Sequence, residues 1–284
     1  MKKNKHYTSN SFEFFKEVRS TKRKSKKDPH YRVRLDEYDG VVSSNYEDYD
    51  KAFEINKLAG LSASETSGQI SADLVKMYSY DNSKIQNLKH YLLTNEEGRT
   101  HNTCLNCGIG EANTFDHFLP IGEFPFFSVH PKNLIPSCSN CNSKKSTNWK
   151  SDGSVLFINF YKDDIPELQF LFCRVLQKST YFKVEFYIEN IHNIDPDMFN
   201  VIDSHFDRLN ICSRLNQFCN DTISEFVNEY MPYKNGRIDD FIDQVNNSLY
   251  YHNRSFGVNH WKNVLKSSLI SSSVFKSYLT STYP

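Results

Sequence analysis

Two pairs of cysteines constrain the fold of this chain more than any other feature of its sequence. Within each pair two residues separate the cysteines, and thirty residues separate the pairs, which are Cys104 with Cys107 and Cys138 with Cys141. A two-residue gap lets both sulfurs of a turn face one tetrahedral ion, and thiolate ligands favour zinc over magnesium or calcium. The spacing therefore predicts a closed, structural zinc site. The alternatives are a redox pair and chance spacing.

The charged residues are balanced in number but unevenly distributed along the chain. The sequence has 34 Lys and Arg against 34 Asp and Glu, yet nine of the basic residues lie within residues 16–34, and an acidic stretch follows over residues 36–50. Such an arrangement can present a local phosphate-binding face although the net charge is zero. We expect Lys22, Arg23 and Lys24 to bind nucleic acid. The alternative is a solvated N-terminal arm.

No segment of the sequence predicts export or membrane insertion. Residues 1–15 are charged and polar without the apolar core of a signal peptide, and no apolar run approaches transmembrane length. We therefore expect a cytoplasmic protein without a membrane partner. Because disulfides are rare in that compartment, the remaining cysteines are expected to be ordinary buried thiols. They are Cys173, Cys212 and Cys219.

The pattern of apolar and turn-forming residues predicts an α+β fold, in which a small zinc-stabilised module is flanked by mainly helical segments and a short β region. Strands are predicted at 155–158, 170–172 and 184–188, and helices at 203–230, 238–251 and 259–279. The predicted regions are a basic N-terminal arm (1–35), a helical segment (36–100), the metal module (101–150), and a β-hairpin region followed by C-terminal helices (151–284).

The residues around the cysteine pairs have the chemistry of phosphodiester hydrolysis. Asp116 and His117 are adjacent on a short predicted strand that leads into a turn. Asn133 lies shortly before the second cysteine pair, and Asn142 follows it directly. Hydrolysis needs an activated water and neutralised phosphate oxygens, and a neutral imidazole is a competent base near neutral pH. Taken singly, these residues could be a surface pair, a loop cap and a helix cap. Their order around the cysteines favours a catalytic set.

In these features residues 101–150 resemble the HNH endonuclease superfamily. That family has a ββα-metal fold with Asp-His on a strand, a central Asn in the loop and a His or Asn on the following helix, and many members carry two Cys-x-x-Cys pairs. Asn142 stands where the last His often lies, as in the His-Asn-Asn variant. The resemblance implies that His117 is the catalytic base and that Asn133 orders the loop and orients it. It also implies that Asp116 and Asn142 hold one divalent ion, Mg²⁺ or Mn²⁺.

Three further side chains near this motif need an interpretation. Lys144 and Lys145 lie just beyond Asn142 and are candidates to contact nucleic-acid phosphates; the alternative is a solvated helix face. His130 is the nearest competing base. Because Pro131 follows it, we interpret His130 as an ordinary loop histidine.

The resemblance implies a metal-dependent endonuclease that cleaves phosphodiester bonds of DNA. The runs 116–120 and 133–138 resemble those of stand-alone HNH nucleases that act as toxic effectors of bacterial anti-phage defence, in which an ATPase partner often holds the nuclease. The chain has no glycine-rich phosphate loop, so any ATP chemistry must come from another subunit. Two alternatives stay open. One is the same site acting on RNA such as tRNA, and the other is a noncatalytic zinc module that binds nucleic acid or protein.

Overall fold

Helices dominate the architecture, and short antiparallel strand pairs interrupt them, in a computed structural model of the chain. The structure describes residues 1–23, 26–63, 66, 68–179 and 181–283. Within these ranges the strands form three separate sheets of two strands each. The predicted α+β class is therefore confirmed. In the same ranges, every helix is too short or too polar to cross a bilayer.

The chain divides into two compact units. One is Lys3–Asp164, which we call the site unit; the other is Ile165–Pro284 with Met1–Lys2, which we call the second unit. Residues 3–35 of the predicted arm and the whole of the predicted regions 36–100 and 101–150 fall within the site unit. The physical reason is that all three regions contribute buried side chains to one hydrophobic core.

The basic N-terminal segment contains a packed helix and is not simply a loose arm. Helix α1 (Ser11–Ser20) begins after Asn10, whose side-chain oxygen accepts hydrogen bonds from two backbone N–H groups of the first turn. One face of α1 buries two phenylalanines and a valine in the core. On α1, Arg19 forms ion pairs with Asp36 and Asp39. Part of the basic charge is thus neutralised by the acidic stretch that follows it.

Four further helices belong to the site unit. They are α2 (Tyr31–Glu37), α3 (Asp39–Glu54), α4 (Gln69–Val75) and α5 (Ser83–Leu93). Helix α3 buries Val42, Tyr46, Tyr49 and Phe53, which are spaced by three or four residues and therefore lie on one face. This face places aromatic rings against the loop that joins the first two strands.

Two strands and a helix build the region of the predicted metal module. Strand β1 (Thr114–His117) pairs antiparallel with β2 (Leu134–Ser137), so that His117 lies opposite Leu134. Helix α6 (Ser139–Lys145) begins directly after β2, and the sulfur of its N-cap residue, Cys138, accepts a hydrogen bond from the backbone N–H of Cys141. Helix α6 packs against β1. The strand end and the helix are therefore neighbours.

A very short strand pair follows α6. It consists of β3 (Lys150–Ser151) and β4 (Ser154–Val155). The strand predicted over 155–158 is therefore wrong beyond Val155. Phe157 and Ile158 are buried in an irregular segment. Their apolar character reflects core packing, which periodicity alone does not distinguish from a buried strand.

The second unit combines a hairpin with helices. The strands β5 (Leu171–Gln177) and β6 (Phe182–Ile188) pair antiparallel, as the β pattern predicted. The helices are α7 (Pro196–Arg208), α8 (Ile211–Tyr230), α9 (Ile238–Phe256), α10 (Trp261–Ser271) and α11 (Ser273–Thr282). The predicted helix 203–230 is divided at Asn210, which has a φ of 50°. Asparagine tolerates this left-handed conformation better than most residues do. The predicted helix 259–279 is divided at Ser272, which caps α11.

The cysteines outside the predicted zinc site all lie in the second unit. Cys173 and Cys219 are buried thiols, as expected, whereas Cys212 is half-buried. Burial raises the pKa of all three thiols, that of Cys212 to about 11. They therefore stay protonated near neutral pH and contribute as apolar packing groups.

Candidate metal centre and active site

The four predicted ligand cysteines converge on one point. All are buried, and their sulfur atoms lie within 4.8 Å of one another. One pair sits in a turn closed by a hydrogen bond from the Gly108 N–H to the Cys104 carbonyl, at 2.9 Å. The other pair sits at the start of α6, where the Cys138 sulfur lies 3.9 Å from that of Cys107. The predicted convergence is confirmed, and the cluster can hold one tetrahedral, thiophilic ion.

The electrostatics of the cluster also suit a cation. Hydrogen bonds among the four thiols lower the pKa of Cys107 to about 6 and also lower that of Cys138. Hydrogen bonds in the same network raise the pKa of Cys104 and Cys141. Four sulfurs at this separation cannot all ionise without a positive charge between them. A bound metal ion would supply that charge.

Asp116 points from β1 towards helix α6 and is buried. Its Oδ1 lies 3.1 Å from the Nζ atom of Lys145, the last residue of α6. The same ammonium group donates a hydrogen bond to the backbone carbonyl of His117, at 2.7 Å. Burial raises the pKa of Asp116, while the Lys145 ammonium and the side chain of Asn106 oppose that rise. The carboxylate therefore already has a cationic neighbour within the protein.

His117 occupies the end of β1 and keeps part of its surface exposed. Its Nε2 lies 2.8 Å from the backbone carbonyl of Ser128, and the Tyr78 ring packs against it edge-on with centroids 4.6 Å apart. A carbonyl only accepts hydrogen bonds, so Nε2 carries the hydrogen and Nδ1 keeps the lone pair. Burial lowers the pKa of His117 to about 4, although the Ser128 hydrogen bond opposes this. The ring is thus neutral near pH 7.

Asn133 closes the long loop between β1 and β2. Its side-chain oxygen accepts a hydrogen bond from the N–H of Leu119 at 2.8 Å, and its amide nitrogen donates to the carbonyls of Leu119 and Phe127 at 3.0 and 3.1 Å. Phe127 directly precedes Ser128, which holds the His117 ring. The Asn133 side chain is therefore connected to His117 through the loop backbone at Phe127 and Ser128. Such an arrangement can order the loop and orient the ring indirectly.

Asn142 is the fourth residue of helix α6 and directly follows the buried Cys141. It is half-buried and stands three residues before Lys145 on α6. Residues three apart on a helix share a face. Asn142 is therefore a neighbour, on α6, of the lysine whose amino group lies at Asp116. An amide oxygen and a carboxylate oxygen are hard ligands of the type that magnesium and manganese prefer.

The predicted phosphate-binding residues have different surroundings. Lys144 is exposed, but Lys145 is buried against Asp116, so the prediction that Lys145 contacts phosphates is wrong for this arrangement. Its amino group is used inside the fold because helix α6 turns it towards β1. Arg23 is exposed and Lys22 half-buried, and burial lowers the pKa of Lys22 with help from Lys76. Lys24 lies outside the described residues.

Several residues beside the site have no local sequence signal. Ser128 and Tyr78 hold the His117 ring, and the Tyr49 hydroxyl lies 3.4 Å from Oδ1 of Asn133. They are distant from the motif in sequence or lie within its loop, so only tertiary contacts identify them. The sequence does contain a signal for Lys145: it lies three residues after Asn142, about one helical turn, so a helix here places both residues on the same side. His130 is buried between the rings of Tyr46 and Tyr49 as a core histidine.

Comparisons with known proteins give one partial similarity. The chain is 33% identical over 130 residues to protein ea31 of Escherichia phage lambda. The matched segment covers 44% of this chain and 44% of the relative, so the chain spans less than half of that protein's length. No family model matches the chain, and no solved structure matches it. The name of the relative states no activity.

Proposed function

We propose that this chain is a metal-dependent endonuclease of the HNH type that cleaves phosphodiester bonds of DNA. One observation carries the proposal. At the end of β1 a neutral imidazole, fixed by the Ser128 carbonyl, directly follows a carboxylate turned towards the helix that bears Asn142. A noncatalytic zinc module would need the cysteines but would not need this polar set beside them.

Zinc on the four cysteines is the structural part of the proposal. The donor set fits it, because four buried sulfurs within 4.8 Å of one another can complete a tetrahedral shell. A saturated thiolate shell leaves no open position for substrate. Its role is to hold the turn at Cys104 and the start of α6 together, which keeps the helix against β1. Metal-binding free energy in such a site is folding free energy.

A second, harder ion is the catalytic part. Asp116 and Asn142 are the residues that would hold it, and their oxygen donors fit magnesium or manganese, which keep several waters and substrate phosphate oxygens as further ligands. When bound, such an ion neutralises charge on the phosphate and stabilises the leaving oxygen. The buried Lys145 already lies at Asp116, so the ion has to share this carboxylate with an internal ammonium group.

The residues of the chain account for the proton transfer. In the tautomer set by Ser128, the Nδ1 atom of His117 has the lone pair that can take a proton from the attacking water. The imidazolium that forms is stabilised by the same carbonyl, which continues to accept the Nε2 hydrogen bond. Asn133 keeps the loop that presents this carbonyl in one conformation. The ring therefore needs little reorganisation during the reaction.

The test is cleavage of supercoiled plasmid DNA and of total RNA by the purified, zinc-loaded protein in Mg²⁺ or Mn²⁺. His117→Ala should abolish cleavage while zinc content and melting temperature are retained. His90→Ala, an exposed histidine on α5, is the matched control and should cleave normally. Cleavage that survives His117→Ala contradicts the assignment of the base. Cleavage of RNA alone would replace DNA as the substrate.

The expected role in anti-phage defence, the ATPase partner and the cytoplasmic location stay predictions. None of the residues described above bears on them. Co-purification of the tagged chain from its host in the presence and absence of ATP is the direct way to find such a partner. A protein that cleaves plasmid DNA robustly when alone would argue against a nuclease that is held by a partner subunit.

A further inference from the structure

Lys145 and Asp116 form an ion pair that is almost completely removed from water. The lysine is 1% exposed and the aspartate 2% exposed, and Nζ lies 3.1 Å from Oδ1. A buried ammonium group is costly unless it is paired and hydrogen-bonded. Lys145 satisfies both conditions, because it also donates to the His117 carbonyl at 2.7 Å and lies over the Phe157 ring at 5.7 Å. The lysine is therefore built into the site.

The partner of this lysine is the same carboxylate that would hold the catalytic ion. A divalent ion on Asp116 would stand close to the ammonium group of Lys145, and two cations in a region of low dielectric repel each other strongly. The same ammonium group also fixes the carboxylate in place through a charge-assisted hydrogen bond. Lys145 thus has two effects on the ion: it prepares the ligand, and it competes for it.

We propose that Lys145 is an internal counterion of the metal-binding carboxylate, which orients Asp116 before the ion binds and sets a low affinity for that ion. The inference rests on the proposed function, since it takes Asp116 as a ligand of the divalent ion. It goes beyond that function because it assigns the control of metal affinity to Lys145, which is not one of the Asp, His and Asn residues of the motif. Lys145 is a positioning residue and needs no contact with substrate.

The neighbouring lysine provides a matched control. Lys144 precedes Lys145 on α6, carries the same charge and is exposed. A substitution there removes one positive charge from the same helix without emptying the position beside Asp116. General charge effects on ion binding would appear in both variants, whereas competition for the carboxylate would appear in one of them.

The experiment measures Mn²⁺ binding to the intact, zinc-loaded chain by calorimetry and by the electron paramagnetic resonance signal of free Mn²⁺, with no nucleic acid present. Lys145→Met should lower the dissociation constant for Mn²⁺ by about tenfold or more, because the repulsion is removed. Lys144→Met and the charge-conserving Lys145→Arg should bind as weakly as the wild type. Asp116→Asn should lose binding. An unchanged or higher dissociation constant in Lys145→Met overturns the inference.

Thermal unfolding provides a second readout. Without added Mn²⁺, Lys145→Met leaves Asp116 unpaired and buried, and its melting temperature should fall by about 10 °C. Added Mn²⁺ should raise it by more than it raises that of the wild type. If this variant does not fold, the double substitution Asp116→Asn with Lys145→Met replaces both charges and should melt near the wild type. A double variant that melts as low as the single one contradicts the pairing.

The outcomes separate the two proposals. If the wild type and Lys145→Met bind Mn²⁺ equally well at Asp116, the role of Lys145 is wrong while the proposed nuclease site stands. If neither binds Mn²⁺, the ion site itself is wrong, and the proposed function fails together with the inference. Tighter binding in Lys145→Met alone supports both.

Discussion

The cysteine cluster and the polar set on β1 are two candidate metal sites built in opposite ways. The cluster consists of four cysteines in two pairs, and the two members of each pair are close in sequence. Their sulfur atoms lie within 4.8 Å of one another. The polar set uses unlike groups, and its geometry depends on the loop carbonyl of Ser128 and on the buried Lys145. A set of four thiolates completes the coordination of the ion without other ligands, so such a site can be closed and rigid. A site that must admit water and phosphate depends on support from the surrounding fold.

The strongest test of this contrast removes a cysteine. Cys138→Ala should abolish zinc binding and lower the free energy of unfolding of the site unit by on the order of 5 kcal/mol or more, because the metal-binding energy is lost. Thermal unfolding and metal analysis measure both effects. Cys212→Ala, at the half-buried thiol in the second unit, is the control and should retain the zinc. Unchanged stability in Cys138→Ala would mean that the cluster is not structural.

The next test removes the residue that closes the loop. Asn133→Ala leaves a backbone N–H and two carbonyls in the interior without their partner, and the free energy of unfolding should fall by about 3 kcal/mol. Zinc should stay bound, since the cysteines are untouched. Asn247→Ala, on the exposed side of α9, should change little. Loss of zinc in Asn133→Ala would show that the two sites are not separate.

A third test uses pH. Burial lowers the pKa of His117 to about 4, whereas a histidine in the unfolded chain has a pKa of about 6.5. Between these values the unfolded chain binds more protons, so acidification from pH 6.5 to 4 lowers the free energy of unfolding, by at most about 1.4 kcal/mol per pH unit. The contribution of the neutral ring is complete above pH 6.5.

His117→Gln should therefore make the dependence of stability on pH shallower within this window. Urea unfolding at a series of pH values measures the slope, and zinc content is followed at each pH because protonation of the thiolates releases the metal. His90→Gln, on the exposed side of α5, should retain the slope of the wild type. An identical slope in His117→Gln would contradict a partly buried, neutral ring.

The smallest expected effect concerns the support of the loop by helix α3. The Tyr49 hydroxyl lies 3.2 Å from the Lys132 carbonyl and 3.4 Å from Oδ1 of Asn133. Tyr49→Phe should cost about 1 kcal/mol of unfolding free energy and lower the cleavage rate without changing zinc content. Tyr251→Phe, on the exposed side of α9, is the control. An unchanged rate would remove Tyr49 from the support of the site.

The sequence predicted the parts of the molecule that depend on local spacing. The hairpin of the second unit and the cluster of four cysteines are both present. The errors arose where an apolar run had more than one structural meaning. Residues 157–158 are buried without being a strand, and two long helical patterns are interrupted at Asn210 and Ser272. A periodic pattern of apolar residues indicates which residues are buried. The pattern continues across a break between two helices when both helices bury an apolar face, so it does not show where one helix ends and the next begins.

The candidate site divides in the same way. Residue types and their order name Asp116, His117, Asn133 and Asn142 as candidates, and they predicted the convergence of the cysteines that the structure shows, because ligand chemistry and two-residue turns are local properties. Only the tertiary structure decided that Ser128 sets the tautomer of His117 and that Lys145 is the buried partner of Asp116. Those contacts follow from strand register and from the packing of α6 on β1. Both join segments that are separate in the chain, so no local pattern specifies them.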